Sequence, residues 1–500
     1  MKPVTNEAML ITYADSLGGD LRQLHELLDG ELVGAFGGVH VLPFYPSSGD
    51  RGFAVVHYDT VDPRFGTWDD VERLADEYTV MADFMINHVS IRSAEFQDYL
   101  AHGDDSPYRE MFIRWDEFWP GGSPTADDLD ALYSRREGGP VRTFTRADGT
   151  DVQLWSTFFA EQVDVDPFAE ATQAYYRRTL GRLAQLVPIV RFDAVAYASK
   201  RPGTSCFFVE PEIWRVFDIG TEPLREAGTQ VLPEVHERYE LQLAMAERGL
   251  WVYDFALPML TLHALMTGRT DRLAHWLRIC PRRQYTTLDT HDGIGVVDVA
   301  GLLSEDEVDL VSERVSAVIA DSRHLVRGRE PVIRRSGQQA RRYQLMCTFH
   351  DALGDDDAHL LARVLQLFVP GIPQVYYVGA LFGGNDLEAL AAVGDPRAIN
   401  RHDYTVEEVR ERVALPHVAL FLDVLRWRNR CAAFDGELTV TETGEPGGLL
   451  LRWTRGGDVA ELRADLLART WEITATTADQ DDDAGAPVTL FRSLRSGDQG

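Results

Sequence analysis

The sequence predicts a (β/α)8 barrel with two inserted subdomains and a C-terminal β-domain. Three observations support this prediction. Short, β-branched apolar runs alternate with amphipathic helical stretches, two gaps of about eighty residues interrupt the alternation, and the pattern becomes strand-like throughout after about residue 434. The chain has 500 residues, which accommodates a barrel of about 250 residues together with insertions and an appended domain.

Eight apolar runs are the predicted barrel strands. In chain order they are Met9 to Ala14, Gly38 to Phe44, Val80 to His88, Ile189 to Val195, Gln230 to His236, Trp251 to Pro258, Gln284 to Asp292 and Ile372 to Val378. Helical patterns such as WDDVERLADEY after Thr67 and FAEATQAYYRRTLGRLAQL after Pro167 lie between them. This βα alternation is typical of a parallel barrel.

The long gaps and the change of pattern predict the domain organisation. The first gap contains SPTADDLDALYSRREGGPVRTF, whose broken periodicity indicates loops and short strands above the barrel mouth. Near the C-terminus, the runs LTVTET, LLLRWT, WEITATT and VTLFRSL indicate a small β-domain. The predicted division is barrel 1–86, inserted domain B 87–167, barrel 168–293, inserted domain B′ 294–356, barrel 357–434 and β-domain 435–500.

Composition and charge exclude several classes of partner. With 79 acidic and 49 basic residues the net charge is -30, which repels nucleic acid and anionic membranes. The 4 cysteines are scattered, so neither a zinc site nor a disulfide framework is expected. There is neither a charged start with an apolar run nor a stretch of about 18 apolar residues, so we expect a cytoplasmic protein that is a monomer or homodimer.

Polar residues follow four of the predicted strands. The strand ends carry Asp83 to His88, Arg191 to Asp193, Glu234 to His236, and Asp289 to Asp292. A single such group is often a helix cap, but four groups at four strand ends indicate an active site, because the carboxyl ends of barrel strands line the mouth.

Three carboxylates at these ends suit glycosidic chemistry. One must attack the anomeric carbon, one must protonate the leaving oxygen, and a third can stabilise positive charge. Arg191 lies two residues before Asp193 on an extended strand, so it projects to the same face and can hold that carboxylate ionised. We expect low solvation and nearby carboxylates to raise the pKa of the acid/base, Glu234.

Five segments in this order resemble the α-amylase superfamily, glycoside hydrolase family 13. They are DFMINH, QVDVD, RFDAV, PEVH and LDTHD. The resemblance implies that Asp193 is the nucleophile, Glu234 the acid/base and Asp292 the transition-state stabiliser. It also implies a substrate-binding shell of Asp50, Phe53, His88, Gln162, Arg191, Tyr197, His236, His291 and Arg401. For Phe53, simple core packing is the alternative.

Longer segments resemble a narrower group, the sucrose phosphorylases and their relatives. They include ITYADSLGGDL, GGVHVLPFYPSSGDRGF, GTSCF, VYDFALPMLTLHAL, LDTHDGIGVVD and PGIPQVYYVGALFGGNDLE. This resemblance implies transfer of glucose from a β-glucosyl intermediate on Asp193 to inorganic phosphate, which gives α-glucose 1-phosphate. It implies no metal and no organic cofactor.

The acceptor side departs from the sucrose-specific pattern. A Leu-Asp-Leu-Tyr-Gln type loop, whose Asp binds fructose in those enzymes, corresponds here to Ala340-Arg341-Arg342-Tyr343-Gln344. Where a Pro usually precedes an Arg, this chain has Ser134-Arg135-Arg136. Guanidinium groups bind phosphate bidentately, so Arg135, Arg341 and Arg342 indicate a phosphorylated acceptor, with Tyr343 and Gln344 beside them. Sucrose 6′-phosphate, cleaved to fructose 6-phosphate, fits this pattern.

Several alternatives stay open. The arginines could serve inorganic phosphate in a sucrose phosphorylase, or a carboxylate acceptor as in glucosylglycerate phosphorylases. A hydrolase of the same fold would use the same three carboxylates, whereas a non-catalytic carbohydrate-binding protein would be expected to lack one of them. A glucan-processing enzyme needs an aromatic groove, for which Trp115, Phe118 and Trp119 are candidates, although core or lid packing is the simpler interpretation. A calcium site near Asn87 is also open.

Overall fold

The fold is that of a computed structural model, which describes residues 1–135, 139–319, 343–476 and 487–494, and the backbone alone of 332–333 and 341–342. Eight parallel strands form a nearly closed barrel, as predicted. They are β1 (Met9–Thr12), β2 (Gly38–Val41), β3 (Thr79–Met85), β4 (Ile189–Asp193), β5 (Gln230–Pro233), β6 (Val252–Asp254), β7 (Gln284–Thr286) and β8 (Ile372–Tyr376).

The hydrogen-bonded order of the barrel sheet is β6-β7-β8-β1-β2-β3-β4-β5. The two end strands, β5 and β6, lie side by side without a ladder between them. Inward-facing side chains from seven of the eight strands fill the barrel as one apolar cluster: Met9, Met81, Ile189, Leu232, Tyr253, Tyr285 and Ile372, with Phe255 just after β6. The barrel interior is therefore packed, and chemistry is confined to its ends.

Most of the strands are shorter than the apolar runs that predicted them. β7 ends at Thr286, so Asp289 to Asp292 belong to the loop that follows it. After β6 the helix Leu257–Thr267 begins, and after β8 the helix Tyr377–Ala380 begins. Buried helix turns are as apolar as buried strands, so apolar runs alone overestimate strand length.

Helices surround the barrel where the amphipathic patterns predict them. The WDDVERLADEY pattern becomes the helix Trp68–Glu77, which begins with a capping box between Thr67 and Asp70. Among the described residues, the other helices of at least eight residues are Leu21–Asp29, Ala94–His102, Glu170–Leu186, Glu212–Thr221, Tyr239–Glu247, Leu257–Thr267, Asp271–Ile279, Glu305–Val318, Asp356–Phe368, Val406–Val413 and Pro416–Arg428. Shorter helices are Trp115–Phe118, Ala126–Ala131, Phe349–Leu353, Tyr377–Ala380 and Leu387–Val393.

Small two-stranded sheets lie in the two long gaps. The first gap holds the hairpin Val141–Thr145 with Asp151–Trp155 and the pair His88–Ser90 with Gln162–Asp164. The second gap holds Ile294–Gly295 with Gln344–Leu345 and Val332–Ile333 with Arg341–Arg342. The pairing of Ile294 with Leu345 brings the chain after β7 next to the predicted acceptor loop.

The C-terminal strands form a separate antiparallel sheet, as predicted. Its strands are Glu437–Glu442, Gly448–Arg455, Asp458–Asp465, Thr470–Thr476 and Val488–Arg492. The indole of Trp453 donates a hydrogen bond of 2.9 Å to the Phe368 carbonyl and so joins this sheet to the last barrel helices. The predicted domain boundaries themselves stay predictions. Within the described ranges, none of the helices combines the length and apolarity that a bilayer crossing requires.

Candidate active site

A cavity of about 620 Å³ lies at the carboxyl ends of the barrel strands. It contains the three predicted carboxylates, Asp193, Glu234 and Asp292. Nine other predicted residues line it: Asp50, Phe53, His88, Arg135, Gln162, Tyr197, His291, Tyr343 and Gln344. Arg191, His236 and Arg401 lie behind this wall and act on it through contacts with the lining residues, as their hydrogen bonds and ion pairs below show.

One guanidinium group holds two of the carboxylates. Nη1 of Arg191 lies 2.9 Å from Oδ1 of Asp193, as the spacing on β4 predicts, and its Nη2 lies 3.6 Å from Oε1 of Glu234. The same Nη1 also contacts Asp83 at the end of β3. Three carboxylates therefore share a single buried cation.

The shared contact affects the pKa of Asp193. Burial and the charge of Glu234 raise the pKa of Asp193 well above its usual value, although Arg191 opposes the shift. Arg191 favours the ionised form of Asp193, but it does not offset burial and the charge of Glu234 in the free protein. Arg191 and His40 instead hold the pKa of buried Asp83 down at about 2, which leaves less positive charge for Asp193.

A strained residue joins Asp193 to Glu234. Ala194 follows Asp193 with φ +53° and ψ +27°, a left-handed conformation that is uncommon for a residue with a Cβ. This conformation directs its N–H at Oε2 of Glu234, with a hydrogen bond of 2.9 Å. The backbone turn after β4 thus fixes the second carboxylate relative to the first.

Asp292 lies in a different electrostatic environment. Its Oδ1 is 3.7 Å from Arg397 and 3.7 Å from Arg401, and the Asn400 amide donates a hydrogen bond of 2.7 Å to its carbonyl. Burial opposes ionisation, but nearby His291 and the two guanidinium groups hold the pKa of Asp292 below its usual range. Since burial lowers the pKa of His291 well below its usual value, the arginines carry the positive charge. Asp292 is therefore ionised.

The inner wall of the cavity is a network of ion pairs and hydrogen bonds. Arg397 pairs with Asp50 at 2.5 Å and with Asp395 at 2.8 Å, and the Gln162 amide donates to Asp50 at 3.1 Å. Phe53 lines the cavity and stacks on His291 with ring centroids 4.9 Å apart, so it forms part of the site wall.

Two further contacts complete this inner wall. His88 Nε2 lies 3.2 Å from the Phe53 carbonyl, and Arg401 donates 2.8 Å to the His291 carbonyl. The inner wall is thus held in place without a ligand.

His236 is buried immediately behind Glu234. Its Nε2 lies 3.6 Å from Oε1 of Glu234, and its Nδ1 lies 3.1 Å from Oδ2 of Asp298. The imidazole stacks on Phe255 with ring centroids 3.9 Å apart. These contacts fix the ring in one orientation.

The outer wall of the cavity carries Arg135, one of the three arginines of the predicted acceptor side. The guanidinium of Arg135 lies 3.8 Å from the centroid of the Tyr343 ring, and its Nη1 is buried with no hydrogen-bond partner. Tyr197 and Gln344 line the cavity beside them. Arg136 and the side chains of Arg341 and Arg342 lie outside the described residues.

The ammonium group of Lys200 lies beside Asn87, where a calcium site was one of the open alternatives. Nζ of Lys200 lies 2.9 Å from Oδ1 of Asn87 and 2.9 Å from Oδ2 of Asp164, and it is almost fully buried. The ammonium group supplies the positive charge that these oxygens need. In the cavity, Glu234, His236 and Asp292 have ligand atoms within 4.8 Å of one another, but three arginines already neutralise this region.

Comparisons with known proteins identify the family of the chain. Residues 14–204 match the catalytic domain of α-amylases. Sucrose phosphorylase from Streptococcus mutans serotype c is 44% identical over 477 residues, which is 94% of this chain and 98% of that protein. The chain belongs to the α-amylase family. Within it, the chain falls in the phosphorylase group.

Two further relatives show the range of that group. Glucosylglycerol phosphorylase from Marinobacter adhaerens is 38% identical, over 95% of this chain and 97% of the relative. The crystal structure of sucrose 6F-phosphate phosphorylase from Thermoanaerobacter thermosaccharolyticum superposes with a TM-score of 0.92 at 37% identity, covering 98% of this chain and 99% of the other. One of these relatives is thus named for an uncharged glucoside and the other for a phosphorylated sugar.

In this member of the α-amylase family, the sequence signals missed three arrangements. Arg397 lies only four residues before Arg401 and pairs with Asp50, but nothing in the sequence connects two residues 347 positions apart. Arg142 lines the cavity from the hairpin strand Val141–Thr145, and its Nε is buried without a hydrogen-bond partner. Asp298 lies behind His236 and belongs to the segment LDTHDGIGVVD, but the sequence did not indicate its role.

Trp115, Phe118 and Trp119 do not line the cavity. Trp115 and Trp119 are buried, and with Phe118 they pack against Trp155 with ring centroids 4.9 to 6.3 Å apart. Core packing is therefore the correct interpretation for this cluster. The four cysteines are free, and three of them are buried.

Proposed function

We propose that this protein is a retaining glucosyl-transferring phosphorylase. It converts sucrose 6′-phosphate and inorganic phosphate to α-D-glucose 1-phosphate and fructose 6-phosphate by double displacement. The observation that carries the proposal is one cavity that combines Asp193, Glu234 and Asp292 with two guanidinium groups, Arg135 and Arg142, that have unpartnered buried nitrogens. Membership of the phosphorylase group supports the reaction class.

In the first step, Oδ of Asp193 attacks the anomeric carbon, and the bond from that carbon to the fructosyl oxygen breaks. Glu234 gives its proton to the leaving oxygen, which departs as a hydroxyl group. Burial and the neighbouring charge of Glu234 raise the pKa of Asp193 in the free protein. A single proton is what this step requires, because Asp193 must be ionised while Glu234 is protonated.

Asp292 and its arginines contribute through charge. The transition state resembles an oxocarbenium ion, and an ionised carboxylate beside it lowers its free energy. Arg397 and Arg401 keep Asp292 ionised, while Asp50 and Gln162 offer acceptors and donors to the glucose hydroxyls. The inner wall therefore forms the glucose subsite.

In the second step, an oxygen of inorganic phosphate attacks the same carbon from the face that fructose left. The ester bond to Asp193 breaks and its electron pair returns to the carboxylate. Glu234 takes back one proton from the attacking phosphate. Each displacement inverts the anomeric carbon, so the two together retain its configuration. No metal or organic cofactor takes part.

The charge of the outer wall supports an anionic sugar acceptor. Within the described part of the chain, neither Arg135 nor Arg142 forms an ion pair, although the protein carries a net charge of -30. A buried guanidinium nitrogen without an acceptor is costly unless a ligand supplies one. Fructose 6-phosphate and inorganic phosphate would both supply such an acceptor.

Sucrose itself is the second candidate substrate, because the sucrose phosphorylase from S. mutans is 44% identical to this chain. In that case the arginines would serve inorganic phosphate alone. An acceptor with a carboxylate, such as glycerate, would use the same charges. Retention of all three carboxylates disfavours a non-catalytic carbohydrate-binding role.

Product analysis tests the proposed reaction class. The purified protein is incubated with sucrose 6′-phosphate, with and without inorganic phosphate, and glucose 1-phosphate and glucose are measured separately. We expect glucose 1-phosphate as the main product and release that rises with phosphate concentration. Equal turnover without phosphate, with free glucose as the product, would identify a hydrolase instead.

A further inference from the structure

Part of the segment LDTHDGIGVVD has no role in the steps above. Asp292 belongs to the catalytic carboxylates, but Gly295 and Asp298 lie behind the cavity wall. Asp298 is 2% exposed, and its Oδ2 lies 3.1 Å from Nδ1 of His236. A buried carboxylate placed on a histidine behind an active site usually fixes the ring and its proton.

Gly295 makes the contact between these two side chains possible. A Cβ at position 295 would clash with Oδ2 of Asp298 and would lie 3.5 Å from Nδ1 of His236. The glycine therefore leaves room for the carboxylate to reach the imidazole. This is a steric reason for the second glycine of the DGIG sequence.

The contact determines which ring nitrogen of His236 faces the reaction. An ionised carboxylate only accepts hydrogen bonds, so Nδ1 must carry a proton and donate it to Asp298. Nε2 then points to the cavity side, 3.6 Å from Oε1 of Glu234. Stacking on Phe255, with centroids 3.9 Å apart, prevents the ring from turning away.

The surroundings of His236 favour its charged form. Burial lowers its pKa, but the charge and hydrogen bond of Asp298, helped by Glu234 and Asp292, outweigh burial, and the net shift is upward. Burial also raises the pKa of Asp298. The ordinary pKa of imidazole exceeds that of an aspartate carboxyl group by about 2.6 units, so a proton shared between the two stays on His236 rather than on Asp298.

Among the described residues, Tyr343, Arg135 and Arg191 are further charged or titratable groups near His236. The edge of Tyr343 packs on the ring with centroids 5.6 Å apart, and Arg135 lies over that tyrosine. Arg191 reaches Glu234 from the opposite side. His236 thus lies between Glu234 and Tyr343 of the outer, cationic wall.

We propose that Asp298 is a positioning residue that, through His236, favours transfer of the glucosyl group to phosphate over transfer to water. The imidazolium Nε2–H donates to an oxygen of the incoming phosphate while that phosphate attacks the anomeric carbon and the ester bond to Asp193 breaks. Water needs no such charge. This inference rests on the proposed phosphorylase function.

The test separates the two half-reactions in Asp298→Asn. Donor cleavage is measured with α-glucosyl fluoride in the absence of phosphate, and the ratio of glucose 1-phosphate to glucose is then measured across a range of phosphate concentrations. We expect donor cleavage within about 3-fold of the parent protein, whereas the KM for phosphate rises about 10-fold and the share of free glucose increases.

The pH profile gives a second readout that a merely structural role would not change. His236 is charged below its pKa, so phosphate transfer is present at lower pH and is lost as the pH rises through that value. Because an amide in place of Asp298 lowers the pKa of His236, the alkaline limb should move to lower pH in Asp298→Asn. The matched control is Asp254→Asn, another buried carboxyl, which accepts from Trp276 at 3.0 Å and does not line the cavity.

The outcomes are distinguishable. Equal losses in donor cleavage and phosphate transfer, or an unmoved alkaline limb, would overturn the role of Asp298. If Asp298→Asn does not fold, His236→Gln, which keeps an N–H donor without the charge, must show the same rise in KM for phosphate. Turnover of the parent protein that does not respond to phosphate would reject the proposed function, and this inference with it.

Discussion

The inner and outer walls of the cavity differ in whether their arginines face carboxylates of the protein. On the inner wall, Arg191 and Arg397 each contact carboxylates, and Asp292 has two arginines beside it. On the outer wall, Arg135 and Arg142 have buried nitrogens with no partner. A wall whose arginines already face carboxylates is pre-organised for one sugar, whereas arginines that face no described carboxylate can take an anion from the substrate.

The largest expected effect is at the nucleophile on the inner wall. Asp193→Asn keeps the shape of the side chain but removes its ability to form the glucosyl ester. We expect transfer to fall on the order of 10⁴-fold or more for every donor. Steady-state release of glucose 1-phosphate measures this, and a loss below about 100-fold would mean that another group attacks.

The next effect separates the two walls. Arg397→Ala removes the partner of Asp50 and one of the cations beside Asp292. We expect kcat/KM to fall about 100-fold for sucrose and for sucrose 6′-phosphate alike, because both present the same glucose. The control is Arg410→Ala, which removes a surface ion pair with Glu31 and should leave both values unchanged. A loss of kcat/KM confined to one of the two donors would show that Arg397 acts on the acceptor side.

A smaller effect is expected on the outer wall. Arg142→Ala should lower kcat/KM for sucrose 6′-phosphate about 10-fold, the value of one charge-assisted hydrogen bond, with little change for sucrose. Arg146→Ala is the matched control, because Arg146 follows the same hairpin strand but donates to Tyr99 instead of lining the cavity. Equal losses for both donors would assign Arg142 to inorganic phosphate.

The smallest effect is a shift in pH dependence. Asp193 must be ionised to attack, and its pKa is raised, so kcat/KM should fall as the pH drops through a value well above 3.8. The charge of Asp83 contributes to the rise in the pKa of Asp193, and Asp83 also forms an ion pair with Arg191. Asp83→Asn should therefore move the acid limb to lower pH by about one unit. An acid limb that stays in place would show that Asp83 does not influence the pair.

Much of the fold and the inner wall could be predicted from sequence, for a physical reason. Barrel strands are apolar on both faces, and their ends bear polar groups only where chemistry needs them, so all eight strands and Asp193, Glu234 and Asp292 gave local signals. Strand ends were less accurate, because Leu257 and Tyr377 continue an apolar run as helix.

The missed residues act through contacts between distant segments. Asp50 meets Arg397 across the cavity, and His236 meets Asp298 from another loop. No local pattern encodes such pairs. The spacing on β4 predicted the contact of Arg191 with Asp193, but not that Asp83 shares the same guanidinium group.

The most direct test of the account is the ratio of kcat/KM for sucrose 6′-phosphate to kcat/KM for sucrose in the parent protein, at saturating inorganic phosphate. An outer wall that depends on a substrate anion predicts a ratio of about 10 or more, one charge-assisted contact or better. A ratio near or below one would show that the outer arginines serve inorganic phosphate alone, and that sucrose is the substrate.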